Sequence, residues 1–384
     1  MKHIAEREVE LPEAIIGKML ALVKDPSVIS LGAGQPDFKT NKSLTDYAKK
    51  IIETTSSYAP SEGIKELREA IAKKVWKDNR IKADADNVLV TAGSQEALLC
   101  GFFSTLDVGE QVILPNPGYL AYIPQIELID GVPVHVKLEE EDNFELNPDK
   151  IREVIDKKRT QVIMLNTPAN PTGTVMPKKL LEEIADIAIE NDCFIFADEA
   201  YEKLVYDRKH VSIGSLNGME DYVATFQTFS KSHAMCGYRV GYAVGAKDLI
   251  GAMSKVHHYT SISASHLSQL VALKALQSGD AYTEKMRLEY KRRRDYIVKR
   301  LNDMGLKTVM PQGAFYTFSS IKDYTYNSLN FTTELLKKKK VAVVPGSEFG
   351  RYGEGYIRCS YATELSKIKI AMDRLADFLK HYRD

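Results

Sequence analysis

Two hydrophobic periods alternate through the middle of the chain. Nearly continuous apolar and β-branched runs at 87–91, 111–114, 161–165, 193–197 and 223–226 have the length of strands buried on both faces. Around and between them apolar positions recur at helical spacing: Ile64, Leu67, Ile71 and Val75 in one segment, Leu180, Leu181, Ile184, Ile187 and Ala188 in another. This alternation predicts an α/β layer structure with a mainly parallel sheet covered by helices. After about residue 275 the pattern changes. A long polar helix over 282–304 precedes short strands at 314–318, 341–344 and 356–360, and a closing helix carries Ile368, Met372, Leu375 and Leu379. The expected division is an N-terminal segment, 1–44, packing with a small α+β domain, 276–384, and a large domain, 45–275. A chain of 384 residues exceeds what one core usually serves, in keeping with two lobes.

Composition adds mainly exclusions. Fifty-two basic residues balance 52 acidic ones, so electrostatics lend no support to a nucleic-acid or membrane-surface partner. The basic runs 291–294 and 337–340 read as solvated helix faces. No apolar run reaches the ~18 residues of a membrane span, and the charged segment 1–10 lacks the apolar stretch of a signal peptide. Cys100, Cys193, Cys236 and Cys359 lie far apart without metal-ligand spacing, as expected of reduced thiols in a cytoplasmic protein.

Candidate chemistry begins at Thr228-Phe-Ser230-Lys231, which follows a predicted strand and leads through Gly237 to Arg239 and Gly241. Taken alone, this is a polar loop with a surface lysine. As a set it carries the parts of a site for a phosphate-bearing aldehyde: an amine in Lys231, hydroxyl donors in Thr228 and Ser230, and a fork of donors in Arg239. A Schiff-base lysine is the usual tether of pyridoxal phosphate. That ring needs a carboxylate to keep its nitrogen protonated, and Asp198 stands at the carboxyl end of a predicted strand, where open α/β sheets bind ligands. A helix cap is the plainer use of such an aspartate. Asn166-Thr-Pro-Ala-Asn170-Pro171 makes a rigid turn, and a cis bond before Pro171 would aim the Asn170 amide at the cofactor's phenolate oxygen. Gly93-Ser94-Gln95 joins a strand end to a helix start, whose free amides attract phosphate. Tyr119 has the shape to stack on the ring or to anchor a turn.

These blocks together resemble the fold-type I, class I aminotransferases, in the subgroup that includes bacterial aspartate, aromatic and N-acetyl-diaminopimelate aminotransferases. The resemblance runs from Leu31-Gly-Ala-Gly34 to Tyr356-Ile-Arg358-Cys-Ser360 and keeps five separated blocks in order. It implies a mostly parallel seven-stranded sheet in the large domain. It further implies that Lys231, Asp198 and Tyr201 carry catalysis, with Lys231 as Schiff base and proton shuttle and Asp198 at the pyridine nitrogen. Asn170 and Tyr201 would hold the phenolate oxygen, Tyr119 would cover the ring, and Ser94, Gln95, Thr228 and Arg239 would hold the phosphate. Tyr58 would reach the phosphate of a neighbouring subunit, making a homodimer with shared sites. Arg358, helped by Gly34 and Asn170, would bind the substrate carboxylate. Thr228 stands where many members have serine. His233, next to the lysine, reads as a packed loop histidine.

The implied reaction exchanges an amino group between an L-amino acid and a 2-oxo acid such as 2-oxoglutarate. The stretch 256–265, where relatives line the side-chain pocket, holds two histidines and a tyrosine but no arginine, which favours a large polar or aromatic substrate. With Ser230-Lys-Ser-His233 and Gly313-Ala-Phe-Tyr316, it looks most like the N-acetyl-diaminopimelate enzymes of lysine biosynthesis, with aromatic aminotransferases next. A cysteine-conjugate β-lyase on the same cofactor would instead release pyruvate and ammonia. An effector sensor on this fold would carry a helix-turn-helix ahead of the domain, and Gly34 falls too early to leave room for one.

Overall fold

The computed structural model describes residues 25–382. The expectations for segment 1–10, and for most of the packing of 1–44, lie outside these residues. In chain order the elements are β1 (Ile29–Ser30), α1 (Lys42–Ile51), α2 (Lys65–Asn79), β2 (Val88–Thr91), α3 (Ser94–Thr105), β3 (Gln111–Asn116), α4 (Tyr122–Glu127), β4 (Val132–Lys137), α5 (Pro148–Val154), β5 (Thr160–Asn166), α6 (Lys178–Asn191) and β6 (Phe194–Asp198). The second half has β7 (Val223–Thr228), α7 (Phe229–Ser232), β8 (Gly241–Val244), α8 (Lys247–Ser261), α9 (His266–Gln277), α10 (Ala281–Asp303), β9 (Tyr316–Ser320), α11 (Ser328–Lys339), β10 (Val341–Ala342), β11 (Val344–Pro345), β12 (Tyr356–Ser360) and α12 (Leu365–His381).

The main sheet has seven strands in the order β2-β8-β7-β6-β5-β3-β4. Only β8 runs antiparallel to its neighbours; the other pairs are parallel. The five apolar runs read from the sequence are β2, β3, β5, β6 and β7. Strands β4 and β8 escaped that reading: β4 is an edge strand whose residues are mostly half-buried and include Pro133, and β8 has only four residues opening on glycine. Helix α2 turns Leu67, Ile71, Ala72 and Val75 inward and stops at Arg80, in the left-handed conformation. Helix α6 buries Leu181, Ile184, Ala185, Ile187 and Ala188 and stops the same way at Asp192.

The C-terminal part is built on the antiparallel sheet β11-β12-β9 and helices α10, α11 and α12. Its core joins Met286, Tyr290 and Ile297 of α10 to Ile368, Met372 and Leu375 of α12. Strand β1 pairs in parallel with β10 through Ile29 and Val341. Leu31 enters the same core, together with Tyr201 and Leu204 from the end of the main sheet.

The run 291–294 departs from the solvated face expected of it. Arg293 and Arg294 are buried. Arg293 pairs with Asp37 and Glu289, each at 2.8 Å; Arg294 pairs with Asp207 at 2.6 Å and donates to the Pro311 carbonyl. Helix α10 carries these guanidinium groups on its inward stripe, where they tie it to segments before α1 and after β6. The run 337–340 is largely exposed as expected, with Lys338 on Glu334 and Lys339 on Asp377. Among the described residues no helix is long and apolar enough to cross a membrane.

Candidate active site

Parallel register brings the carboxyl ends of three strands together. Asn166 of β5 lies opposite Asp198 of β6, and β7 ends beside them at Thr228. Asn166 ties its neighbours down: its Nδ2 donates to the Asp198 carbonyl at 3.0 Å, and its Oδ1 accepts from the Asn170 N–H at 2.7 Å. The Asn170–Pro171 bond is cis, as anticipated. Thr228 caps the short helix α7 by accepting from the Ser230 N–H, and that helix presents Lys231.

Gly34, Ser94, Gln95, Tyr119, Asn170, Asp198, Tyr201, Lys231 and Arg358 all line one cavity of ≈ 200 Å³. Lys231 Nζ donates to the Gly34 carbonyl at 2.6 Å and lies 5.7 Å from the centre of the Tyr201 ring. Asp198 is buried, and burial raises its carboxyl to about 6 despite hydrogen bonds from Tyr122 and Ala200 and the nearby Lys231 charge. Arg358 is buried as well. Its Nη1 donates to Asn170 Oδ1 and its Nη2 to the Gly32 carbonyl, both at 2.9 Å, while the buried Nε has no partner among the described residues. The guanidinium lies 4.3 Å from the Tyr316 ring centre and 4.9 Å from that of Phe349. Tyr201 and Tyr316 share a hydroxyl contact of 2.9 Å.

Ser94 and Gln95 open the twelve-residue helix α3 behind Gly93, whose φ of +104° suits glycine. A Cβ there would also meet Arg239 Nη2 at 2.7 Å. Arg239 leans on this turn, donating to the Ala92 and Cys236 carbonyls, but does not itself line the cavity. Thr228 and Ser230 hydroxyls lie 3.0 Å apart and face each other. Tyr58 stands 78% exposed on the surface, outside the cavity. His233 is half-buried, bonded to Ser232 and packed on Phe229, and burial pulls its imidazole down to about 4; it faces a different cavity from Lys231. Of the 256–265 stretch, Tyr259 is 89% exposed and His257 turns inward onto Glu96 at 2.9 Å, so within one chain neither lines the site.

Two features went unread in the sequence. Tyr122, fully buried, donates to Asp198 Oδ2 at 2.7 Å and meets Tyr119 edge-on. Its only sequence signal is its place three residues after Tyr119. Behind Asp198, Glu199, Glu202 and His210 draw together. The Lys74 ammonium joins that cluster, contacting Glu202, Asn79 and Gln227, and His210 pairs with Glu199 at 3.0 Å.

A cavity holding a lysine, a buried carboxylate and a buried guanidinium, beside a helix N-terminus, narrows the chemistry sharply. Residues 26–375 match the family described as aminotransferase class I and II. The chain belongs to that family. This aminotransferase is 44% identical to the aspartate aminotransferase of Pyrococcus abyssi, with 92% of each chain covered. It is 37% identical to the probable N-acetyl-LL-diaminopimelate aminotransferase of Bacillus subtilis, covering 100% of this chain and 98% of that one. The crystal structure of the aromatic aminotransferase from Pyrococcus horikoshii superposes with a TM-score of 0.90 at 43% identity, covering 95% and 98% of the two chains. The aminotransferase uses pyridoxal phosphate. Its cavity fits that cofactor: a buried carboxylate forms no ion pair among the described residues, the start of α3 lines the same space, and glycine at 93 leaves the turn open to the Arg239 guanidinium.

Proposed function

We propose that this aminotransferase exchanges the amino group of a large, aromatic L-amino acid with 2-oxoglutarate, as a cytoplasmic homodimer with shared sites. The observation that carries the reading is a buried guanidinium, Arg358, that among the described residues forms no ion pair and leaves Nε unpartnered, on the same cavity as Lys231 and Asp198. A buried cation without a counter-ion suits an anionic ligand, and a planar fork suits a carboxylate.

Pyridoxal phosphate, when bound, supplies the aldehyde that takes up the amino group and the ring that receives electrons from Cα. The chain's residues do the rest. Lys231 would tether the cofactor and then move a proton to and from the substrate Cα. Asp198 would hold the ring nitrogen protonated, and Asn170 and Tyr201 the phenolate oxygen. Tyr119 would cover the ring. Ser94 and Gln95 amides, with Thr228, Ser230 and Arg239, would hold the phosphate, and Arg358, Gly34 and Asn170 the substrate carboxylate.

Several observations support the finer points. The cations lining the cavity are Lys231 and Arg358, with Tyr119, Tyr316 and Leu120 around them. Among the described residues that set holds no third cation of the kind that would favour an aspartate-like substrate, and its rings suit an aromatic side chain over an N-acetyl-diaminopimelate-like one. The bare aromatic rings of Tyr58 and Tyr259 suit a subunit contact. Four free thiols suit a reducing compartment. The pairing of β1 with β10 suits the division at 45 and 275.

The test is a panel of amino acids with 2-oxoglutarate, together with borohydride reduction of the holoenzyme. Phenylalanine and tyrosine should exceed aspartate in kcat/KM, and reduction should fix the cofactor on the peptide carrying Lys231. A preference for aspartate overturns the substrate reading; label on another lysine overturns the site.

A further inference from the structure

A second and larger space adjoins the active-site cavity. A cleft of ≈ 600 Å³ runs between α4 and the turn Gly346–Phe349, and it shares Gln95, Tyr119 and Leu120 with that cavity. Its walls are mainly apolar, including Ile123, Pro124, Leu128 and Phe349. Phe349 lines the cleft, and its ring centre lies 4.9 Å from the Arg358 guanidinium of the active-site cavity. A side chain long enough to pass Leu120 would enter this cleft.

Of the residues lining the cleft, only Glu348 carries a charge. Among the described residues it has no ion-pair or hydrogen-bond partner, and burial against the apolar wall raises its carboxyl above the ordinary range. The turn that carries it is held firmly. The Gly118 N–H donates to the Phe349 carbonyl at 2.9 Å, and Asn116 Oδ1 accepts from the Tyr352 N–H at 3.1 Å. Gly350, at φ +104°, packs so closely on Asn116 that a Cβ would come within 2.3 Å of its amide. Glu348 is therefore carried on a braced turn, its carboxylate unpaired among the described residues at the edge of an apolar space.

We infer that this cleft is the subsite for the far end of a long substrate side chain, and that Glu348 selects there against a terminal carboxylate and for an uncharged end that donates a hydrogen bond. The inference rests on the aminotransferase reading of the adjoining cavity. Two like charges on one mainly apolar cleft repel, while a phenol-type hydroxyl finds an acceptor. A short dicarboxylate such as 2-oxoglutarate would reach less far and be less subject to this selection.

The test compares the holoenzyme with Glu348→Gln, which keeps shape and removes charge. Substrates are taken in matched pairs: 2-aminopimelate against 2-aminooctanoate, whose side chains have similar length but end in a carboxylate or in an apolar ethyl group, and tyrosine against phenylalanine. The substitution should raise the 2-aminopimelate to 2-aminooctanoate ratio of kcat/KM by about tenfold or more, and lower the tyrosine to phenylalanine ratio. Unmoved ratios overturn the subsite. A wild-type preference for aspartate over phenylalanine would overturn the aromatic reading instead, while the aliphatic pair would still report on Glu348.

Discussion

Replacing Arg358 with lysine separates a carboxylate-binding role from a structural one. Two of the guanidinium's nitrogens are engaged by the protein, Nη1 with Asn170 and Nη2 with the Gly32 carbonyl, while Nε is buried without a partner among the described residues. An ammonium has three donors on one atom. If it satisfies Asn170 and Gly32, at most one remains for a substrate carboxylate, where the planar fork could give two in parallel. The change therefore costs at least one charge-assisted hydrogen bond, about 1.5–3 kcal/mol, or about 10- to 150-fold in kcat/KM. The assay is a single-turnover half-reaction of the holoenzyme, followed through the cofactor's absorption, with each amino acid compared to the amine that lacks its carboxylate. Arg358→Lys should spare cofactor binding, slow the amino acids by that factor and leave the amines nearly unchanged. Equal losses for amino acid and amine would refute the reasoning, because the arginine would then be bracing Asn170 and the Gly32 segment rather than holding substrate.

Two further outcomes follow from Asp198. Tyr122→Phe keeps the ring packing but removes the hydroxyl that donates to Asp198 at 2.7 Å; cofactor affinity, measured by equilibrium dialysis, should fall about tenfold or more for a lost charged hydrogen bond, and an unchanged dissociation constant would show that this contact does not tune the site. In the cofactor-free chain, Asp198 holds its proton up to about 6 in the folded state against 3.8 for the ordinary group, so its ionisation opposes folding above that window and not below it. Asp198→Asn should therefore raise cofactor-free stability by an increment that grows between those two values and then levels off at about 3 kcal/mol, read by denaturant unfolding across pH; a pH-independent increment would contradict the shift.

Much of this was readable without coordinates because one-dimensional signals coincide with the physics of burial. The five central runs are covered on both faces, so they are continuously apolar. Edge strand β4 is mostly half-buried, so its composition is mixed and it passed unread. Lys231, Asp198 and Asn170 stand in short blocks immediately after strands, and parallel register then brings those blocks together. Arg293 and Arg294 were misread for the converse reason. A basic run in a polar helix looks solvated, and only the packing of α10 shows that Asp37 and Asp207 come from elsewhere in the chain to pair with it. Tyr122 and Glu348 lack a motif altogether, and their interest comes from what their carboxylate or hydroxyl faces.

The cavity also explains why its residues stand out physically. A folded chain seldom leaves a buried carboxylate without a cation or a buried guanidinium without an anion, because each isolated charge forfeits hydration worth several kcal/mol. Among the described residues Arg358 pairs with no anion on this cavity and Asp198 forms no ion pair, feeling only the nearby Lys231 charge, while behind them Lys74 and Glu202 are paired in the ordinary way. The contrast locates the incompleteness in the cavity rather than in the fold around it. A cationic ring nitrogen would answer Asp198 and a carboxylate would answer Arg358. The stability forgone in the empty chain would then return as binding free energy, and the holoenzyme should resist unfolding more strongly as cofactor concentration rises above its dissociation constant.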